Sequence, residues 1–138
     1  MSIEDNKALV RRAYELTNRR ELATFFELLA PEYVEHLPTG DKTREQVKDY
    51  ADIFFNAFPD VRFKIVDMVA EGDKVAVLVN WRGTHKGVFM NILPTGNNID
   101  ITNANMIKIA GEKWVEFWNI TDVRLMQQLG VIPQQGER

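Results

Sequence analysis

Apolar residues recur at helical spacing through the first third of the chain. The first set consists of Leu9, Val10, Ala13, Tyr14 and Thr17. It follows Ser2 and Asp5, whose side chains can accept the unpaired N–H groups of a first helical turn. A second, shorter helical stretch covers residues 22–29 and stops before Pro31. Residues 33–37 then predict a short extended segment, closed by a Pro-Thr-Gly turn at 38–40.

A third helix has the clearest local pattern in the sequence. Thr43 and Gln46 form a capping-box pair. An apolar stripe follows at three- and four-residue steps and consists of Val47, Tyr50, Ala51, Phe54, Phe55 and Phe58. Pro59 ends it. A stripe this wide is not stable against water, so the pattern predicts that the helix packs on a sheet.

From residue 61 onward the apolar period changes from helical to two. Strands are predicted over 61–65, 75–82, 99–109 and 114–121, with turns at 71–74, 93–98 and 111–112. Gly83 and Gly87 flank Thr84-His85-Lys86, where they would ease a strand bend. A last short helix over 122–129 is stopped by Gly130 and Pro133.

Helices followed by an antiparallel meander predict a single α+β domain over residues 1–138. We expect a cone-shaped, curved antiparallel sheet packed against the N-terminal helices and enclosing one pocket. The composition agrees with one domain, since 138 residues with 45% apolar content suffice for one sizeable core. No repeat or low-complexity tract suggests a boundary.

Charge and cysteine content exclude several functions. Net charge is −3 without a block of either sign, which argues against nucleic-acid binding. Cys is absent, so thiolate metal sites and Cys nucleophiles are excluded. Acidic residues near the N-terminus and the lack of a long apolar run predict a cytoplasmic protein without a membrane partner.

The last strand carries the first candidate for catalysis. By alternation, Trp114, Glu116, Trp118, Ile120 and Asp122 share one face, and Val115, Phe117, Asn119 and Thr121 the other. An acid on so apolar a strand would be desolvated, which raises its pKa and suits a general base. The alternative is that Asp122 is the N-cap of the last helix, and the two roles are compatible.

The two histidines are further candidates, because their unperturbed pKa lies near neutrality. His36 ends an extended segment and His85 follows a Gly-Thr pair; a single His is more often structural than catalytic. They are far apart in sequence and no His-x-x-x-His pattern occurs, so we expect no metal site. Phosphate-binding and Gly-x-Ser-x-Gly motifs are absent, so we expect no cofactor.

Two amides occupy the middle of the strand over 99–109. Asn103 and Asn105 share a face, and because Asn is depleted in strands they either bind a ligand oxygen in the cavity or face solvent. Large aromatic residues belong either to the core or to a cavity wall. The candidate substrate-binding residues are His85, Asn103, Asn105, Trp118, Phe89, Tyr14 and Trp81.

Several sequence blocks, in order over almost the whole chain, resemble one family. They are residues 6–14, 28–36 (Leu-Leu-Ala-Pro-Glu-Tyr-Val-Glu-His), 57–63 (Ala-Phe-Pro-Asp-Val-Arg-Phe), 71–77 (Glu-Gly-Asp-Lys-Val-Ala-Val), 82–87 (Arg-Gly-Thr-His-Lys-Gly), 94–96 (Pro-Thr-Gly), and Trp118 with Asp122 and 126–130 (Met-Gln-Gln-Leu-Gly). Each block is weak alone, but together they are similar to the SnoaL-like polyketide cyclases of the nuclear-transport-factor-2-like superfold.

This resemblance implies the cone-shaped fold and a cofactor-independent intramolecular aldol condensation. In such a reaction an acidic residue removes a proton α to a carbonyl, and the enolate closes a ring. The family's acid corresponds to Asp122, and its recurrent histidines to His36 and His85. Phe117 and Asn105 depart from the family pattern, where His and an acid are common.

Three functions remain open from the sequence. The first is a cyclase, lyase or isomerase for a small apolar carbonyl compound, with Asp122 and His36 as catalytic residues. The second is a non-catalytic domain that binds a small apolar ligand. The third is a subunit-interface protein, a homodimer that buries Ala76, Leu78 and the Val115 side of the last strand.

Overall fold

The computed structural model describes residues 2–122 and 124–131 of the chain. Its helices are α1 (Ile3–Asn18), α2 (Leu22–Glu27), α3 (Arg44–Ala57) and α4 (Arg124–Gln128). Its strands are β1 (Leu29–Leu37), β2 (Gly40–Thr43), β3 (Arg62–Glu71), β4 (Lys74–Thr84), β5 (Asn98–Ala110) and β6 (Lys113–Ile120). Pro133, predicted to stop the last helix, lies outside the described residues.

Both long helices begin at capping boxes, of which the one at α3 was predicted as such. The Ser2 hydroxyl accepts the N–H of Asp5, whose carboxylate accepts the N–H of Ser2. Thr43 and Gln46 form the same reciprocal pair at α3. Because each pair satisfies N–H groups that the helix leaves unpaired, the starting points are specified by sequence alone.

The strands form one six-stranded sheet with the order β2-β1-β6-β5-β4-β3. All neighbouring strands are antiparallel except β1 and β6, which pair in parallel. The expectation of a wholly antiparallel sheet is therefore wrong at this one pair. The short strand β2 was also missed, because its sequence Gly-Asp-Lys-Thr has no apolar alternation.

The sheet is curved and unclosed, and the helices cover its concave side. Helix α1 packs along β3 and β4, while α3 packs on β1 and β2. Alternate residues of β4 and β5 point into the core, among them Val75, Val77, Val79, Ile101 and Ile107. The predicted α+β class, with N-terminal helices against a curved sheet, is confirmed.

Among the described residues, no helix combines the length and apolar character needed to cross a membrane. The same residues contain no cluster of His, Asp and Glu that could hold a metal ion.

Candidate functional site

A cavity of about 460 Å³ lies between the helices and the concave face of the sheet. Its lining is dominated by aromatic rings from α1, α2, α3 and the sheet. These are Tyr14, Phe25, Phe26, Tyr50, Phe54, Phe55, Phe63, Trp81, Phe89, Trp114 and Phe117. The described lining residues include two carboxylates, Glu35 and Asp122, and no Lys, Arg or His. Such a cavity suits an apolar molecule with few polar groups.

Glu35 is the cavity carboxylate whose pKa is raised by its surroundings. It lies on β1 and faces the cavity together with Leu37. The hydroxyl of buried Tyr33 donates to Glu35 Oε1 at 2.7 Å. Burial raises the pKa of the Glu35 carboxyl, and the Tyr33 hydrogen bond and the positive charge of Lys42 offset this only in part. A desolvated carboxylate of this kind is a stronger base than a solvated one.

Tyr14 presents a second polar group in the same cavity. Asn105 Nδ2 donates to the Tyr14 hydroxyl oxygen at 2.9 Å, which joins β5 to α1. Burial raises the Tyr14 pKa, and the negative charge of Glu35 raises it further. The phenol therefore stays protonated and can donate a hydrogen bond over the whole neutral range.

Asp122 also lines the cavity, but its carboxylate is engaged. Oδ1 accepts the N–H of Arg124 at 2.9 Å, and Oδ2 accepts the Arg124 Nε at 2.7 Å. These hydrogen bonds hold the pKa of Asp122 below its usual range. The predicted rise of this pKa is therefore wrong, because the carboxylate caps α4 and pairs with Arg124. The alternative of a helix cap is confirmed.

The face alternation predicted for the last strand fails at a bulge. Lys108 pairs with Glu116 and Ile109 pairs with Trp114, so Val115 is an extra residue on β6. Trp114 consequently faces the cavity with Phe117, Asn119 and Thr121. Trp118 points to the outer face of the sheet, and its predicted place beside Asp122 in the cavity is wrong.

His36 also lies on that outer face. Its ring stacks on Trp118 with centroids 5.2 Å apart, and its nitrogens contact Glu116 at 2.6 Å and Asp41 at 2.8 Å. Hydrogen bonds to Glu116 and then Asp41 raise the pKa of His36. The imidazolium thus links β1, β2 and β6, and the structure does not bring it to the cavity.

His85 lies in the loop between β4 and β5 and is fully buried. Its Nδ1 accepts the N–H of Thr95 at 3.2 Å, and its backbone exchanges hydrogen bonds with Gly96 and Asn97. The ring packs against Phe58, with centroids 5.5 Å apart. His85 therefore closes the base of this loop and does not line the cavity.

The structure brings together part of the predicted site. Five predicted residues line the cavity: Asp122, Asn103, Phe89, Tyr14 and Trp81. Asn105 contacts the cavity through Tyr14, whereas His36, His85 and Trp118 lie elsewhere. Glu35 and Tyr50 were missed, although Glu35 alternates with Tyr33 and Leu37 on an apolar segment, the same signal that was applied to Asp122.

Comparison with protein families gives one match, because the model of the SnoaL-like polyketide cyclases matches residues 7–129. No curated protein matches the chain in sequence. Solved structures are similar over nearly its whole length.

Three of these structures show the range of similarity. IdmH, a candidate polyketide cyclase from Streptomyces antibioticus, is 34% identical with a TM-score of 0.79, covering 91% of this chain and 99% of that one. AclR, a candidate hydroxylase from Streptomyces galilaeus, is 26% identical with a TM-score of 0.89, covering 99% and 87%. TsrD from Streptomyces laurentii is 20% identical with a TM-score of 0.84, covering 96% and 99%, and shows the fold alone.

Proposed function

Because the chain belongs to the family of SnoaL-like polyketide cyclases, we propose that it is a cofactor-independent cyclase or isomerase for a small apolar carbonyl compound. The observation that carries this proposal is the desolvated carboxyl of Glu35 in an aromatic cavity. A carboxylate there is basic enough to take a proton from a carbon next to a carbonyl group.

The proposed reaction begins with Glu35 as the carboxylate. It takes the α-proton, and the electron pair of the broken C–H bond forms an enolate. The enolate carbon then bonds to a second carbonyl carbon of the same molecule, and the proton held by Glu35 returns to the resulting alkoxide. In the isomerase variant the proton returns to a different carbon. Atoms and charge balance in both, and no other reactant is needed.

Tyr33 and the cavity wall support this role of Glu35. The Tyr33 hydroxyl fixes Oε1, and among the described residues no other hydrogen bond engages this carboxyl, which leaves Oε2 for the substrate proton. The aromatic lining offers water few polar partners, which favours a basic carboxylate, and a substrate that fills the cavity would displace water from the enolate. Asp122 is the alternative base, but its lowered pKa makes its carboxylate a weaker base than that of Glu35.

The test uses 2-tetralone, an apolar bicyclic ketone with acidic α-protons, in heavy water. We expect the protein to accelerate α-proton exchange, measured by proton NMR, and Glu35→Gln to lower this acceleration by about 10²–10⁴-fold. The rate should rise with pH through the raised pKa of Glu35 and then level off. Glu32→Gln, an exposed position on the same strand, is the matched control.

Asp122→Asn decides between the two carboxylates in the same assay. An unchanged exchange rate in this variant supports Glu35 as the base. A large loss in Asp122→Asn together with a rate in Glu35→Gln equal to wild type would assign the proton transfer to Asp122 and contradict the proposal.

The second candidate is a binding domain without catalysis. It is favoured by the contacts of Asp122, which acts as a cap and an ion-pair partner as that hypothesis requires. Trp81 and Trp114 line the cavity, so tryptophan fluorescence reports binding of 2-tetralone directly. Binding without any accelerated exchange would support this candidate over the enzyme.

A further inference from the structure

We propose that the hydroxyl of Tyr14 is the hydrogen-bond donor to the substrate oxygen that becomes negative in the reaction, and that Asn105 positions it. This inference rests on the proposed function and adds an oxyanion-binding group to it. When Glu35 takes a proton, negative charge moves to the carbonyl oxygen, and a donor aimed at that oxygen lowers the barrier.

The direction of the hydrogen bond between Asn105 and Tyr14 carries the argument. The amide Nδ2 donates and the phenol oxygen accepts, at 2.9 Å. The phenol proton is therefore still available, and none of the described residues accepts it. In this orientation the buried Asn105 Oδ1 has no hydrogen-bond partner, and because Tyr14 lines the cavity, a bound molecule is in position to accept the phenol proton.

The ring of Tyr14 packs against two other aromatic rings. Its centroid lies 6.1 Å from that of Phe63 and 6.3 Å from that of Trp114, and these two residues also line the cavity. Asn105 is itself only 8% exposed and lies in the middle of β5. A donor fixed by ring packing and by a strand amide needs little reorganisation when charge develops on the ligand.

Tyr50 is the rival donor. It also lines the cavity, burial raises its pKa to about 12, and none of the described residues forms a hydrogen bond with its hydroxyl. Unlike Tyr14, it has no amide that holds the phenol oxygen, and its ring lies beside Lys42, 5.4 Å from the ammonium. The same substitution at Tyr50 is therefore the matched control.

The experiment compares two ligands of similar shape in the Glu35→Gln background, which removes repulsion between the carboxylate and an anion. The anionic probe is 4-nitrophenolate at mildly alkaline pH, and the neutral probe is 4-nitrotoluene, both measured by tryptophan fluorescence. Tyr14→Phe should weaken phenolate binding by about tenfold or more, as expected for loss of a hydrogen bond to a charged group. Binding of 4-nitrotoluene should change by less than about twofold, and Tyr50→Phe should preserve the preference for the anion.

The inference would be overturned if Tyr14→Phe still bound 4-nitrophenolate in preference to 4-nitrotoluene as strongly as the parent protein. It would also be overturned if Tyr50→Phe lost this preference for the anion. An Asn105 amide turned so that Oδ1 takes the Tyr14 proton would give the first of these results. If Tyr14→Phe loses both probes through collapse of the cavity, Asn105→Leu decides, because it keeps the tyrosine ring. A several-fold lower preference for the anion supports the positioning role, and an unchanged preference overturns it.

Failure of this inference is distinguishable from failure of the proposed function. Phenolate binding needs no proton transfer, so a Tyr14-dependent preference supports the oxyanion site even where 2-tetralone exchange is absent. Conversely, the outcome can be that 2-tetralone exchange depends on Glu35 while the preference for 4-nitrophenolate does not depend on Tyr14. That result leaves the proposed function in place and removes the oxyanion role of Tyr14.

Discussion

Glu35 and Asp122 line the same cavity, yet their surroundings shift the two carboxyl pKa values in opposite directions. Glu35 lies in a cavity lined mainly by aromatic rings, and desolvation raises its pKa although the hydrogen bond from Tyr33 offsets part of the rise. Asp122 accepts hydrogen bonds from the backbone and guanidinium of Arg124, so its pKa is lowered. The difference comes from burial at Glu35 and from hydrogen-bond partners at Asp122, and it makes opposite predictions for stability.

Replacing Glu35 by Gln should stabilise the protein at neutral and alkaline pH. A raised pKa means that the folded state binds the proton more tightly than the unfolded state, so wild-type stability falls as pH rises from the ordinary to the raised pKa. Glu35→Gln lacks this fall. Urea unfolding at a series of pH values measures the difference, which should disappear below the ordinary pKa, with Glu32→Gln as control. A variant less stable than wild type at alkaline pH contradicts the desolvation of Glu35.

Replacing Asp122 by Asn should destabilise the protein by a few tenths to about 1 kcal/mol, because Asn can still cap the helix but loses the ion pair with the Arg124 guanidinium. The sign of the pH dependence is opposite to that of Glu35. A lowered pKa contributes stability above the ordinary pKa of Asp, and this contribution is lost as pH falls through the lowered value. Thermal unfolding of wild type and variant at neutral and acidic pH measures it. An effect that grows in acid would be inconsistent with the ion pair to Arg124.

The sequence predicted the location of Asp122 better than its chemistry. An acid at the end of an apolar strand could either be desolvated or cap the next helix. Here the Arg124 guanidinium, two residues later, pairs with the Asp122 carboxylate, and the sequence does not specify where the Arg124 side chain points. Glu35 was predictable in principle from its alternation with Tyr33 and Leu37. The apolar segment around it is short, however, and alternation alone does not decide whether the Glu35 face or the adjacent His36 face meets the cavity.

At the scale of elements, one bulge redirects half of β6. Alternation predicts faces correctly along β5, where Ile101, Asn103 and Ile107 all point inward. On β6 the extra residue Val115 shifts the register, so every position after it changes face relative to Trp114. Bulges depend on pairing with a neighbouring strand, which a pattern within one strand does not contain.

His36 should make the sheet more stable at low than at high pH within its titration range. Its raised pKa means that the contacts with Glu116 and Asp41 contribute fully below the ordinary pKa of His and are lost as pH rises through the raised value. His36→Phe should lack this dependence in urea unfolding. Glu116→Gln should move the transition to lower pH, because Glu116 is the larger cause of the raised pKa, and an unmoved transition would exclude that contact as its origin.

The Gly-Thr-His-Lys-Gly segment at the end of β4 forms hydrogen bonds with the last residue of α3. The N–H groups of Lys86 and Gly87 both donate to the Ala57 carbonyl, at 2.8 and 3.2 Å. A Cβ on Gly87 would lie 2.6 Å from the Asn56 carbonyl oxygen. Close approach of two backbones, rather than a strand bend, therefore explains this glycine.

Gly87→Ala should lower the free energy of unfolding by about 1–3 kcal/mol, the range of overpacked sites, because the nearest neighbour is the Asn56 backbone, which must move. Denaturant unfolding measures the change. Lys86→Ala, at the exposed neighbouring position, is the control and should stay within about 0.5 kcal/mol of wild type. A cost equal to that of the control would mean that α3 and this loop adjust freely.

At the scale of the molecule, local patterns predicted the class and the helix-covered concave side, because both follow from which face of each element is apolar. The parallel pairing of β1 with β6 was not predictable in this way. These strands are separated by most of the chain, and the cross-sheet contact of His36 with Glu116 spans it. Contacts between residues this far apart in sequence depend on how the whole sheet assembles, which local patterns do not contain.

The outer face of the sheet carries largely exposed apolar rows, with the His36 ring stacked on Trp118 at one edge. In register across four strands, Val69 neighbours Ala76, Ala76 neighbours Met106, and Met106 neighbours Trp118. The adjacent row joins Leu78, Ala104 and Ile120 in the same way. Ala76 and Leu78 face outward as predicted. On β6 the bulge changes the predicted faces, so that Phe117 faces the cavity and Trp118 and Ile120 lie on the outer face. A homodimer that pairs through the outer face would bury these rows, which keep Ala76 and Leu78 of the prediction but replace the Val115 side with Trp118 and Ile120.

Sedimentation equilibrium at micromolar concentration tests this assembly. We expect a dimer mass for wild type and a shift toward monomer for Met106→Glu, because this charge lies in the centre of the rows and would be buried without a partner. Leu93→Glu is the matched control, since Leu93 is 74% exposed in the loop between β4 and β5 and lies outside the sheet. A monomeric wild type, or equal dissociation by both variants, argues against pairing through the outer face. A dimer weakened only by Met106→Glu would place the shared surface opposite the cavity, so that substrate entry and subunit pairing use different sides of one sheet.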